Sequence, residues 1–205
     1  MILVLVAHSD DEVLGCGGTI AKYAKEGEDV VAIIFSDADP VNRSTDFIVK
    51  RRKESIEAGK ILGIKDTVFL GLADNPFGAE LKSKHIRKRL EKIINGFSPK
   101  VIFTHCPDDP HPMHAYIPKL VKEIVNDKDI EIYTFSIGSP FKVAQRDMPR
   151  LYMDISNTFE LKRKALKLFK SQNNYIWYYK SIAYMLNKVA GLQSHHKYAE
   201  VFYKW

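Results

Sequence analysis

The chain has 205 residues, is 45% hydrophobic and 27% charged, and carries a formal net charge of +6. That balance belongs to a folded globular protein and excludes a disordered chain, a collagen-like repeat and a small disulfide scaffold. The charge is uneven: residues 1–157 sum to −1 and residues 158–205 to +7. Nothing in the basic quarter matches a nucleic-acid motif, so no nucleic-acid partner is expected.

Residues 2–7 form an apolar, β-branched run and predict a first strand. Acidic residues follow it at once and no charged segment precedes it, so it reads as neither a signal peptide nor a membrane span. Gly15-Cys16-Gly17-Gly18 comes next, then a helical pattern through Ala24 with Ile20, Tyr23 and Ala24 on one face. Strand two is Val30–Phe35, and residues 36–47 are a polar loop. A helix from about 47 to 62 has Ile48, Ile56 and Ile61 as its expected core positions.

Strand three is Thr67–Leu70. A helix over Ser83–Asn95 turns Ile86, Leu90, Ile93 and Ile94 inward. Strand four (Val101–Thr104), a helix over Ala115–Val125, strand five (Glu131–Phe135) and strand six (Leu151–Ile155) follow. Two helices are expected at about 158–170 and 174–189, the second ended by Gly191.

Alternating strands and helices, with strands apolar on both faces, predict a Rossmann-like, three-layer α/β fold around a mostly parallel sheet. All of residues 1–205 read as one domain. Residues 1–157 are its α/β core, and 158–205 supply basic, aromatic helices and a final short strand. The two cysteines, Cys16 and Cys106, make neither a disulfide framework nor a CxxC metal site, which points to a reducing cytoplasm. Cys106 is expected to be a small buried hydrophobe.

Two clusters carry chemistry, and both follow predicted parallel strands, so both fall at the strand ends where such sheets bind ligands. The first is His8-Ser9-Asp10-Asp11-Glu12. Buried carboxylates need ion pairs, hydrogen bonds or a metal. The spacing of His8 and Asp11 lets both reach one metal from a tight turn, with Asp10 between them facing a water. A plainer reading is a solvated turn in which Asp10 or Asp11 caps the next helix.

The glycines lack GxGxxG spacing and are expected to serve close helix–sheet packing, although an acid, Asp37, does follow strand two. The second cluster, Thr104 to His114, contains His105, His111 and His114. It is also readable as a proline-rich loop with chance histidines. A set of His8, Asp11 and His114 would leave open positions on zinc. The same donors suit iron(II), and the spare carboxylate of Asp10 favours zinc and water activation.

At these residues the chain resembles the LmbE-like (PIG-L-like) family of zinc-dependent N-deacetylases. Ala7-His8-Ser9-Asp10-Asp11-Glu12 resembles the family's Ala-His-Pro-Asp-Asp-Glu, with Gly15, Gly17 and Gly18 at family positions. Asp109-Pro110-His111-Pro112-Met113-His114 resembles Asp-x-His-Pro-Asp-His. Arg51-x-x-Glu54, Ala58 and Leu62-Gly63 resemble a family helix. Lys162, Ala165, Ser171 and Gln172 sit as in a family segment, and Ala199-Glu200-Val201-Phe202 resembles the closing Ala-Glu-x-Phe. Two departures are Ser9 for proline and Met113 for an aspartate that supports a neighbouring histidine.

The resemblance implies that His8, Asp11 and His114 hold Zn2+. Asp10 acts as general base and His111 stabilises the oxyanion, with Asp109 or Asp108 as replacement support for His111. By family position Arg51 meets the substrate, an N-acetylglucosamine-type amino sugar or glycoconjugate; the plainer reading places it in a solvated basic run, Lys50 to Lys53. Asn42, Arg43 and Asp37 are weaker candidates for the pocket rim. Trp177, Tyr178 and Tyr179 are expected either to stack on a sugar or to lie in the core or a homo-oligomer contact. Another metal-dependent amide or ester hydrolase and a non-catalytic carbohydrate-binding protein are the alternatives.

Overall fold

The computed structural model describes residues 1–38, 44–73, 81–137, 148–171 and 173–205, with backbone alone at 38 and 173–176. Its elements are β1 (Ile2–His8), α1 (Asp11–Lys25), β2 (Val30–Ala38), α2 (Thr45–Leu62), β3 (Asp66–Ala73), α3 (Lys84–Phe97), β4 (Val101–His105), α4 (Pro112–Val125) and β5 (Glu131–Phe135). β6 (Arg150–Asp154), α5 (Phe159–Leu166), α6 (Asn173–Gln193) and β7 (Ala199–Lys204) complete the chain.

The strands form one sheet in the order β3-β2-β1-β4-β5-β7-β6. The first five are parallel, and β7 is antiparallel to both β5 and β6. The expected α/β architecture is therefore borne out. Successive residues of β1 face opposite layers, as the period of a strand requires. Ile2, Val4 and Val6 pack with α1, α2 and α5, through residues such as Val13, Leu62 and Leu166. Leu3, Leu5 and Ala7 pack with α3 and α4, through Leu90, Ile94 and Ile117. Strand order reverses between β1 and β4, and the crevice beyond their carboxyl ends is where doubly wound sheets bind ligands.

Several expectations change. The helix begins at Asp11, so the glycine run lies inside α1, which breaks at Cys16 (φ −140°, ψ 21°). A Cβ on Gly15 would lie 2.1 Å from Phe135 Cε2, and one on Gly18 would lie 2.7 Å from Ile155 Cδ1. These glycines bring the helix against its neighbours, as expected.

On α2 the buried stripe is Arg51, Ser55, Ala58 and Leu62, whereas Ile56 is 40% exposed and Ile48 and Ile61 are only half-buried. Apolarity alone misplaced that face, because its buried end serves the polar site described below. Gly191 lies inside α6 and passes under the returning chain. A Cβ there would meet the carbonyl oxygens of His196 and Lys197 at 2.8 Å. Trp177, Tyr178 and Tyr179 are 74%, 51% and 39% exposed, so they are not core. Among the described residues no helix is long and apolar enough to cross a membrane.

Candidate metal centre

β1 ends at His8 and β4 at His105, on adjacent parallel strands. Asp11 opens α1, and His114 lies in the first turn of α4, whose start is set by Pro112. Pro is suited to that first-turn position, where it gives up no helical hydrogen bond. Three chain segments thus bring ligand atoms to the β1/β4 crevice.

Asp11 Oδ2 lies 3.3 Å from His8 Nδ1 and 3.4 Å from His114 Nε2. Those two nitrogens are 3.3 Å apart. Ligand atoms of a tetrahedral zinc, each about 2.0–2.2 Å from the ion, are separated by about 3.3–3.6 Å. The triangle of His8, Asp11 and His114 therefore has the dimensions and donor types of a three-ligand metal site. Asp11 is fixed there by the His8 backbone N–H, which donates to Oδ2 at 2.8 Å.

His105 was not singled out as a site residue. It is fully buried, and its ring stacks on that of His114 with centroids 3.9 Å apart and planes 7° apart. Nε2 of His105 lies 3.3 Å from Asp11 Oδ2 and accepts the Ala7 N–H at 3.0 Å. His8, His111 and His114, and likewise Asp11, His105 and His114, are also close enough together to share an ion. The Ala7 hydrogen bond uses the lone pair of His105 Nε2, which leaves His8 as the better third ligand. His105 instead lies against Asp11 and the ring of His114.

Asp109 Oδ1 lies 3.2 Å from His114 Nδ1 and accepts the His111 backbone N–H at 2.9 Å. A carboxylate behind a ligand imidazole fixes its tautomer and raises its basicity. Asp109 is thus placed against the His114 ring. The His111 ring lies beside the triangle, 4.6 Å from His114 and 5.1 Å from His8 between centroids. Met113 is buried in the apolar layer that holds Ile117 and Val121, which accounts for its lack of a polar side chain.

Asp10 occupies the N-cap position of α1 with φ 109° and ψ −28°, and its carboxylate makes no capping hydrogen bond. That counts against the plain helix-capping reading. Asn42 and Arg43 lie outside the described residues. Arg51 is buried and donates to the Ser9 carbonyl at 3.3 Å. Asp37 is paired with Arg52, whose Nε donates at 2.8 Å and whose guanidinium lies over Phe69. Such pairing gives Asp37 a structural task.

The electrostatics separate the carboxylates. Burial, then the neighbouring Asp11 charge, pushes the Asp10 carboxyl well above its ordinary range, against the pull of Arg51. Burial also opposes charge on Asp11, but His114 and His105 outweigh it and hold that carboxyl well below its ordinary value. Burial lifts Glu12 to about 7. It lowers His105, beside His114, to about 4. For His114 burial is overcome by Asp11 and Asp109, which raise it to about 10. Divergent carboxyl values within one crevice mark acid–base chemistry.

A diacetylchitobiose deacetylase of Thermococcus kodakarensis is 26% identical over 222 aligned positions, covering 97% of this chain and 80% of that one. A 4-oxalmesaconate hydratase of Pseudomonas putida is also 26% identical, covering 88% of this chain and 77% of that one. The structure of N,N'-diacetylchitobiose deacetylase from Pyrococcus horikoshii superposes with a TM-score of 0.83 at 24% identity, covering 100% of this chain and 83% of that one, and this likeness shows the fold. Residues 3–125, more than half of the chain, match the PIG-L family, described as GlcNAc-PI de-N-acetylase, and the chain belongs to that family.

Proposed function

We propose that this chain is a zinc-dependent hydrolase that removes the N-acetyl group from an N-acetylglucosamine-type sugar or glycoconjugate. The observation that carries this reading is the His8–Asp11–His114 triangle with edges of 3.3–3.4 Å, set beside a buried carboxylate of raised pKa, in a member of this family. His8, Asp11 and His114 hold the ion. Zinc supplies a water made nucleophilic near neutral pH and a Lewis acid for the acyl oxygen.

Asp10 takes the proton of the attacking water and returns it to the departing amine nitrogen, so the proton count closes within one residue. A carboxyl whose pKa is raised by burial holds a returned proton more readily than an ordinary one, which suits the second of these tasks. The His111 ring, beside the triangle, donates a hydrogen bond to the oxygen on which charge develops. Arg51 holds the turn that carries Asp10 and adds positive potential at the crevice, within reach of a polar substrate group. Two buried, unbridged cysteines are in keeping with a reducing cytoplasm as the place of action.

The test is acetate release from N-acetylglucosamine, its disaccharide, a phosphate ester and an alkyl glycoside, using metal-stripped protein with and without zinc. Asp10→Asn should retain zinc and lose about 10²–10⁴-fold in kcat. Full activity in Asp10→Asn would remove it as the base. The hydratase relative, equally identical, supports a second reading in which the same base activates water for addition to a carbon–carbon double bond. Zinc-dependent loss of an unsaturated carboxylate, with no acetate from any amide, would decide for that reading.

A further inference from the structure

The Ser9–Asp10 peptide group carries Asp10 in a backbone conformation that side chains disfavour. Among the described residues only Asp10, Ser98 and His195 have positive φ without being glycine. Rotating that one peptide plane would change φ of Asp10 and release it. Both ends of the plane are held, one by α2 directly and the other by Glu12 of α1, which α2 braces. Its oxygen, Ser9 O, accepts from the Arg51 guanidinium at 3.3 Å. Its N–H, on Asp10, donates to Glu12 Oε2 at 2.9 Å. The other oxygen of that carboxylate, Oε1, accepts the Ser55 hydroxyl at 2.8 Å.

Arg51 and Ser55 are one helical turn apart on the buried stripe of α2, and Glu12 is fully buried. On the far side, the Asp10 carbonyl accepts the N–H groups of Val13 at 3.0 Å and Leu14 at 2.8 Å. A buried carboxylate is a costly way to fill space. This one has both oxygens committed, one to the strained peptide and one to a helix packed behind it.

We propose that Glu12, braced by Ser55, is a positioning residue that locks the Ser9–Asp10 peptide and so aims the Asp10 carboxylate. This rests on Asp10 being the base. Glutamine can replace the clamp, because its amide oxygen accepts the Asp10 N–H and its NH2 donates to Ser55 Oγ. Leucine cannot.

The experiment measures kcat, KM and zinc affinity for Glu12→Leu, Glu12→Gln and Ser55→Ala, each alone and combined with Asp10→Asn. Glu12→Leu should lower kcat about 100-fold, the scale of a misplaced catalytic group, with zinc affinity kept. Glu12→Gln should lose only a small part of that. In the Asp10→Asn background Glu12→Leu should add nothing, because there is no base left to aim. Equal losses in both backgrounds, or zinc affinity falling in step with kcat, would overturn the clamp. An unimpaired Asp10→Asn would overturn the base reading instead, and the clamp with it. If Glu12→Leu fails to fold, Ser55→Ala carries the test. A kcat loss that disappears with Asp10→Asn supports the clamp, and one that persists refutes it.

Discussion

Two of the groups of buried charged side chains among the described residues differ in where their polar atoms turn. At the break in α1, Lys162 and Glu200 are 0% and 1% exposed. In an unbroken helix the Gly18 N–H would donate to the Leu14 carbonyl. Here that N–H donates to Glu200 Oε1 at 3.0 Å, and the Leu14 carbonyl accepts from Lys162 Nζ at 2.8 Å. Lys162 Nζ also donates to Glu200 Oε1 at 2.6 Å, and Thr19 N–H donates to Oε2 at 2.8 Å. The pair is spliced into the helix ladder, and each charge has its partners in the chain.

At the β1/β4 crevice, by contrast, His8, Asp11 and His114 turn ligand atoms toward one point. A single proton there cannot serve all three contacts. Burial of charge does not by itself distinguish a strut from a site; convergence of donors does.

The largest expected effect is on the strut. Lys162→Met leaves Glu200 buried without its cation and should lower stability by about 3–5 kcal/mol, read from urea or thermal unfolding. Lys162→Met combined with Glu200→Gln should recover part of that loss, since the amide oxygen still accepts a helix N–H. Zinc affinity of the folded fraction should not change. A large loss of zinc affinity at wild-type stability would erase the distinction between the two clusters.

Asp109→Ala is the reverse case. It removes the carboxylate behind His114 and should weaken zinc binding about 10–100-fold, the usual cost of losing such a partner. Competition with a chelator measures it. The unfolding midpoint of the metal-free protein should move less than in Lys162→Met at alkaline pH, where the His114 proton that Asp109 helps to hold no longer adds stability.

How much of this was legible beforehand depends on the range of the interactions. The strands were legible because buried parallel strands are apolar on both faces, and the His8 and His114 clusters because they follow such strands in sequence. The α2 face was not. Ile56 is apolar and 40% exposed, while Arg51 and Ser55 are buried because Ser9 and Glu12 need them. His105 and Lys162 gained their roles from partners 98 and 148 residues away, which no local pattern encodes. β7 was expected as a final short strand, but its place between β5 and β6 is likewise set by distant pairing.

The effect most diagnostic for the open cluster is the pH dependence of zinc binding. Zinc takes an imidazole in its neutral form. Asp11 and Asp109 raise His114 to about 10 from its ordinary 6.5, against the effect of burial. The metal-free protein therefore holds a proton on His114 from pH 7 up to about 10, and zinc must displace it. Displacing one proton makes apparent affinity about tenfold tighter for each pH unit gained. Between about pH 7 and 8.5 an ordinary histidine would already be neutral, and its slope would vanish.

The same proton is linked to folding. A pKa raised in the folded state adds stability that is fully present below the unfolded value, near 6.5, and is lost as pH rises through about 10. Metal-free protein should therefore become less stable across that window. Asp109→Ala should flatten both the affinity slope and the stability decline, because it removes one of the two carboxylates that hold the proton. Zinc affinity independent of pH from about 7 to 8.5 would mean that His114 is not held by Asp11 and Asp109 in this way.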